Sequence, residues 1–252
     1  MLKKVFTTAC LLGTTLTISG CHVDEGKEEI YVLTAASMTE AMEEIKQLYE
    51  KEHEGVTLVP SYGSSGQLKD QIIHGAPAHL FLPAALTWME ELDQESVVLE
   101  YAPLLENELV LITGNHIETD MTTLEELVTD DIASVAMGHP DLVPAGNYAM
   151  QALEERELYD ALSDKIIYAS NVREVLTYIE TGNADAGLVY KTEAHSSDNV
   201  NIVTTADGHD SILYPVGLLV DAAEVTEARD FYKWLQTEEA LTIFESYGFG
   251  VR

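Results

Sequence analysis

The stretch Ser61-Tyr62-Gly63-Ser64-Ser65-Gly66-Gln67-Leu68-Lys69-Asp70-Gln71 lies between the apolar run Val56-Thr57-Leu58-Val59 and the helically spaced Leu68, Ile72 and Ile73. That order predicts a turn from a strand into a helix, with Ser64 or Ser65 at the N-cap. Such a turn is an anion receptor. The unpaired N–H groups of the first helical turn, the positive end of the helix dipole and two hydroxyls converge there. The small Gly63 and Gly66 are expected to let a ligand approach the backbone. A lone turn of this composition usually means no more than a cap, so its weight depends on whether the chain repeats it.

The chain repeats it three times. The strand Ile30-Tyr31-Val32-Leu33 runs into Ser37 and a helix with Met38, Ala41, Met42, Ile45, Leu48 and Tyr49 on one face. The strand Ser134-Val135-Ala136-Met137 leads through Val143-Pro144-Ala145-Gly146 into a helix carrying Tyr148, Ala149, Ala152 and Leu153. In Ala169-Ser170-Asn171-Val172-Arg173 the Asn caps a helix bearing Val175, Leu176 and Ile179 and stopped by Gly182. A further strand, Ala186 to Tyr190, ends on a tyrosine. With Leu80-Phe81-Leu82, the helix from Leu86 to Leu92, a helix at Leu124 to Val128 and closing helices near 224–236 and 238–246, this alternation predicts an α/β chain with parallel, doubly wound sheets. Two lobes are expected, 30–108 and 109–215, with 216–252 returning to the first. Leu109 to Ile112 leads out and Val216 to Val220 leads back, which implies a cleft and a two-strand hinge.

The first 20 residues combine Lys3 and Lys4, an apolar run from Val5 to Ile18, and small residues before Cys21, the pattern of a secretory signal. Ile18-Ser19-Gly20-Cys21 resembles a bacterial lipobox. Cys21 is therefore expected to carry lipid, with 21–29 as a tether, which leaves no thiol for a disulfide or a metal. Removing residues 1–20 takes away two lysines and no acid, so the net charge of -31 becomes -33. Nucleic acid is excluded as a partner by repulsion. The acids are spread over many helices and read as a solvated surface.

Seven segments, in order, carry a family likeness: Ala35-Ala36-Ser37; Ser61 to Leu68; Gly75-Ala76-Pro77-Ala78; Val143 to Ala149; Asn171-Val172-Arg173; Asn183 to Thr192; and Tyr247-Gly248-Phe249. Together they resemble the molybdate-binding protein of bacterial molybdate ABC transporters, collinearly from about Ile30 to Arg252. The resemblance implies a type II periplasmic-binding-protein fold whose lobes close on molybdate or tungstate. It also implies a lipid-anchored, extracytoplasmic monomer that delivers cargo to a membrane permease, without cofactor, metal cation or enzymatic activity. The ligand shell it implies is Ser37 and Ser65 through hydroxyl and backbone N–H, the backbone N–H of Ala145 and of Val172, and the hydroxyl of Tyr190. None of these groups is charged. A dianion held by oriented dipoles gains roughly 1.5 to 3 kcal/mol per bond to it, and a shell made only of donors disfavours protonated phosphate.

The chain departs from its relatives at His79, at Pro83-Ala84-Ala85 and at His139-Pro140, where acidic residues are common. His139, so close to Ala145, is expected to gain a proton if the anion binds beside it. Two other readings compete. One is a binder of sulfate or another tetrahedral oxyanion. The other is a serine hydrolase built on Ser65 with His74 or His79, although Gly63-Ser64-Ser65-Gly66 lacks the Gly-x-Ser-x-Gly spacing of a nucleophile elbow. The eight histidines show no i, i+4 pair and so no metal pattern.

Overall fold

The computed structural model describes residues 26–117 and 121–252. The signal segment and Cys21 lie outside them. In chain order the elements are β1 (Glu28–Ala35), α1 (Thr39–Glu52), β2 (Val56–Gly63), α2 (Ser65–Ile73), β3 (Leu80–Leu82), α3 (Leu86–Gln94) and β4 (Val98–Glu106). Then come β5 (Leu109–Gly114), β6 (Val135–Gly138), α4 (Pro144–Glu154), β7 (Ile166–Ala169), α5 (Val172–Glu180), β8 (Ala186–Tyr190), α6 (Lys191–His195) and β9 (Val200–Thr205). The chain ends with β10 (Leu213–Leu219), α7 (Thr226–Trp234), α8 (Glu238–Ser246) and β11 (Gly250–Val251). A 3-10 turn at Ala36–Met38 precedes α1, and another forms Leu124–Val128, where a regular helix was expected.

Two sheets result, one per lobe. The first has the order β11-β4-β10-β3-β1-β2 and the second β7-β6-β8-β5-β9. Strands β1, β2 and β3 are parallel to one another, as are β6, β7 and β8. Each sheet also takes one strand the other way inside its order: β10 runs antiparallel to β3 and β4, and β5 antiparallel to β8 and β9. These two strands follow directly on the crossings between lobes, which are the short segments 107–108 and 206–212. The return is complete at Leu213, three residues before the expected Val216, because Tyr214 and Pro215 already pair with β4. Likewise β1 begins at Glu28, opposite Val56, inside the expected tether.

Burial explains why the strands read as continuous apolar runs. All of β3, β5 and β8 is buried, as a sheet covered on both faces requires. Strand β2 extends beyond its apolar run to Gly63 and includes Pro60, which an edge strand tolerates because no neighbour needs its missing N–H. Helix α1 buries Ala41, Met42, Ile45 and Tyr49, and the Tyr49 ring packs edge-on against Phe231 and Trp234 of the C-terminal region.

Candidate functional site

The four strand-to-helix turns meet between the lobes, at the carboxyl ends of β1, β2, β6, β7 and β8, where open α/β sheets present their ligand crevices. Ser37 lies in the 3-10 turn after β1. Ser65 is the first residue of α2, and the Ser64 side chain caps that helix by accepting from the Gln67 N–H at 3.4 Å. Pro144 opens α4, so Ala145 provides its first N–H. Asn171 caps α5 by accepting from the Glu174 N–H at 3.0 Å, which places Val172 at the first helical position. Tyr190 is the last residue of β8. At each helix start the first N–H groups have no partner within the helix.

Ser37, Ser65, Ala145, Val172 and Tyr190 all line one small cavity, together with Ala35, Ala36, Gly63, Ser64, Ala84, Val143, Pro144 and Asn171. All five are buried, Ser65 and Ala145 completely. The lining holds no Asp, Glu, Lys, Arg or His. The cavity is small and lies between the two lobes. Ser65 Oγ accepts from the Ala84 N–H at 3.0 Å. Burial, with Tyr214 beside it, holds the Tyr190 phenol well above its usual range, so it remains a donor.

Contacts across the cleft close this cavity. Tyr190 Oη, from the second lobe, donates to the Ala84 carbonyl of the first at 3.3 Å. The Gly66 N–H donates to the Leu142 carbonyl at 3.1 Å. A Cβ on Gly66 would come within 2.8 Å of that same carbonyl oxygen, so Gly66 accommodates the backbone of the opposite lobe and not, as expected above, a ligand. A Cβ on Gly63 would meet only the Leu68 side chain at 3.4 Å.

Behind Val172, Arg173 makes a two-pronged ion pair with Glu40 of the first lobe. On its other side, 3.8 Å away, stands Glu193 at the start of α6. Glu193 is 1% exposed, and among the described residues neither carboxyl oxygen has a hydrogen-bond partner. Burial pushes its pKa up to about 7, against the opposing pull of Arg173. Nothing in Lys191-Thr192-Glu193 distinguishes this acid from a solvated one. Asn107 and Tyr214, which the sequence reading also passed over, are joined to Ser37 by hydrogen bonds.

The histidines lie elsewhere. The His139 ring faces Tyr168, with ring centres 5.2 Å apart, and its Nδ1 is 3.9 Å from an Asp141 carboxylate oxygen; it does not line the cavity. The expected coupling of its protonation to the anion therefore has no direct contact to act through. His79 Nδ1 accepts from the Tyr31 N–H at 3.2 Å and His74 Nδ1 contacts the Asp70 carbonyl, so neither serves Ser65 as a base.

The profile of the family described as bacterial extracellular solute-binding protein matches residues 30–250. The chain belongs to that family. As a solute-binding protein it is 40% identical to a candidate ABC transporter substrate-binding lipoprotein, YvgL of Bacillus subtilis, with 99% of each chain covered. It is 36% identical to the molybdate-binding protein ModA of Escherichia coli over 91% of each chain. Among solved structures it resembles the substrate-binding domain of a candidate molybdenum ABC transporter from Clostridium difficile, with 36% identity, a TM-score of 0.68, and 89% of this chain and 99% of that one covered. For a solute-binding protein the two-lobed α/β architecture is the type II periplasmic-binding-protein fold, as expected.

Proposed function

We propose that this solute-binding protein captures molybdate or tungstate outside the cytoplasm and delivers it to the membrane permease of an ABC transporter. The observation that carries the reading is the single uncharged cavity formed by Ser37, Ser65, Ala145, Val172 and Tyr190 from five separate segments. Three helix N-termini and three hydroxyl-bearing residues around one cavity supply donors without a counter-ion, a chemistry suited to a fully ionised dianion. The relatives that bear the names of molybdate-binding proteins support the same cargo. Acting as a monomer, the chain is held at the membrane by lipid on Cys21, and it serves as a binder, as its solute-binding relatives do.

Binding is followed through Trp88, which lines the interlobe groove opposite Pro140, Asp141 and Pro144 and so senses lobe movement. Molybdate or tungstate at about 100 times the dissociation constant is expected to add about 2.7 kcal/mol to unfolding stability. A thermal melt and a fluorescence titration that both ignore these anions would remove the reading. Sulfate is the second candidate, because the same donors suit any doubly charged tetrahedral oxyanion. A sulfate affinity exceeding that for molybdate in parallel titrations would transfer the assignment.

Ser37→Ala and Tyr190→Phe each delete a hydroxyl aimed at the anion and little apolar area. Each is expected to weaken molybdate binding by roughly 1.5 to 3 kcal/mol, ten- to a hundredfold, in a protein that still unfolds cooperatively. Parent-like affinity in both variants would displace the site.

A further inference from the structure

We infer that Tyr214, held by Asn107, is a positioning residue that turns the Ser37 hydroxyl proton toward the cavity, an inference that rests on the oxyanion reading above. The direction of the hydrogen bonds follows from Asn107, which sits in the first crossing between lobes. Its Oδ1 accepts from the Glu108 N–H at 2.9 Å. The amide nitrogen must therefore be the group facing Thr192 Oγ1 at 2.9 Å and the Tyr214 hydroxyl at 3.2 Å.

The Tyr214 oxygen accordingly accepts from Asn107, and its own proton is left to be given away. Ser37 Oγ lies 3.1 Å from it. If Ser37 donated in that bond, the phenol oxygen would receive two protons from neighbours, and its own would turn to the neighbouring Tyr190 hydroxyl, which is itself the donor to Ala84. The opposite sense satisfies both groups: Tyr214 donates, Ser37 accepts, and the serine's proton faces the cavity, where an anion needs a donor. The Tyr214 ring is held in place on all sides. It is 1% exposed, with the Tyr190 ring centred 5.6 Å away and the Phe249 ring 5.5 Å away. Burial holds the phenol above its usual range, so it stays protonated at any working pH. A hydroxyl already oriented loses less freedom when the ligand arrives, which is the physical content of preorganisation. Tyr214 itself does not line the cavity.

The test is a double-mutant cycle read by titration with molybdate. Tyr214→Phe keeps the ring and removes only the oxygen. It is expected to weaken binding about tenfold in the parent background and less than about twofold when Ser37→Ala is already present, since there is then no hydroxyl to orient. A residue that merely filled space would cost the same in both backgrounds. Equal losses in the two backgrounds, or no loss in the first, would overturn the inference while leaving the oxyanion site in place. A parent protein that binds neither molybdate nor tungstate would instead bring down the site, and this inference with it. If Tyr214→Phe fails to melt cooperatively, Asn107→Ala, which removes the donor from outside the aromatic cluster, is held to the same two criteria.

Discussion

Glu193→Gln is expected to make the protein about 3 kcal/mol more stable at pH 8 than the parent, relative to the difference between the two at pH 4.5. In the unfolded chain Glu193 titrates near the ordinary 4.5, and in the folded one near 7. Between those values the folded state holds a proton that the unfolded state has released, so rising pH works against folding. The favourable contribution of the neutral carboxyl is complete below about 4.5 and gone once pH has passed through about 7. Glutamine, similar in shape and unable to ionise, does not undergo that loss. Arg173 does not rescue the ionised form, because its guanidinium is engaged with Glu40 and stands 3.8 Å from the nearer Glu193 oxygen. Urea denaturation of both proteins at several pH values measures the difference. A gap that stayed constant from pH 4.5 to 8 would mean that the buried carboxyl is ionised throughout.

Gly66→Ala has the opposite character, since it leaves each lobe sound and obstructs their meeting. The helical backbone at this position accepts alanine, and the helix itself gains up to about 1 kcal/mol. The new methyl carbon would stand 2.8 Å from the Leu142 carbonyl oxygen and 3.0 Å from its Cα, backbone atoms that cannot rotate aside. The second lobe must retreat, and the Gly66 N–H loses its acceptor. Overpacking and the lost bond together amount to roughly 2 to 4 kcal/mol against the lobe-to-lobe arrangement that assembles the cavity. Molybdate affinity is expected to fall roughly thirty- to a thousandfold while the melting temperature of the free protein holds or rises. Undiminished affinity would show that the two backbones need not approach this closely when ligand binds.

The strand-to-helix turns were legible because the chemistry that makes them is local. Ser64 and Asn171 are caps in the structure as in the sequence, and Pro144 marks a helix start by its fixed φ. Strand β4 was not legible. Glu100, Pro103 and Glu106 break its apolar pattern, and the prolines are accommodated by pairing Pro103 with Pro215 beside a register shift in β10, a fact that belongs to two strands at once. The meeting of five segments at one cavity was reached through resemblance and not through periodicity, which carries no information on contacts between residues over a hundred positions apart. Asn107, Tyr214 and Glu193 show the same limit from the other side. Their importance lies entirely in partners supplied by distant segments: Ser37 for Tyr214, Thr192 for Asn107, Arg173 for Glu193. The acidic surface, with its net charge of -31, stays away from the cavity lining, so composition describes the exterior and says nothing of the site.

The cleft contacts also determine how time enters. With Gly66 on Leu142 and Arg173 on Glu40, a trapped anion has no exit until the lobes part. Its residence time is then the waiting time for that parting. Arrival depends instead on the separated form, in which these contacts do not exist. Substitutions at these two contacts should therefore register almost wholly as faster departure, with capture rates little changed. Of the two, the Arg173–Glu40 pair joins full charges on partly exposed side chains, so departure should also quicken as added salt screens it.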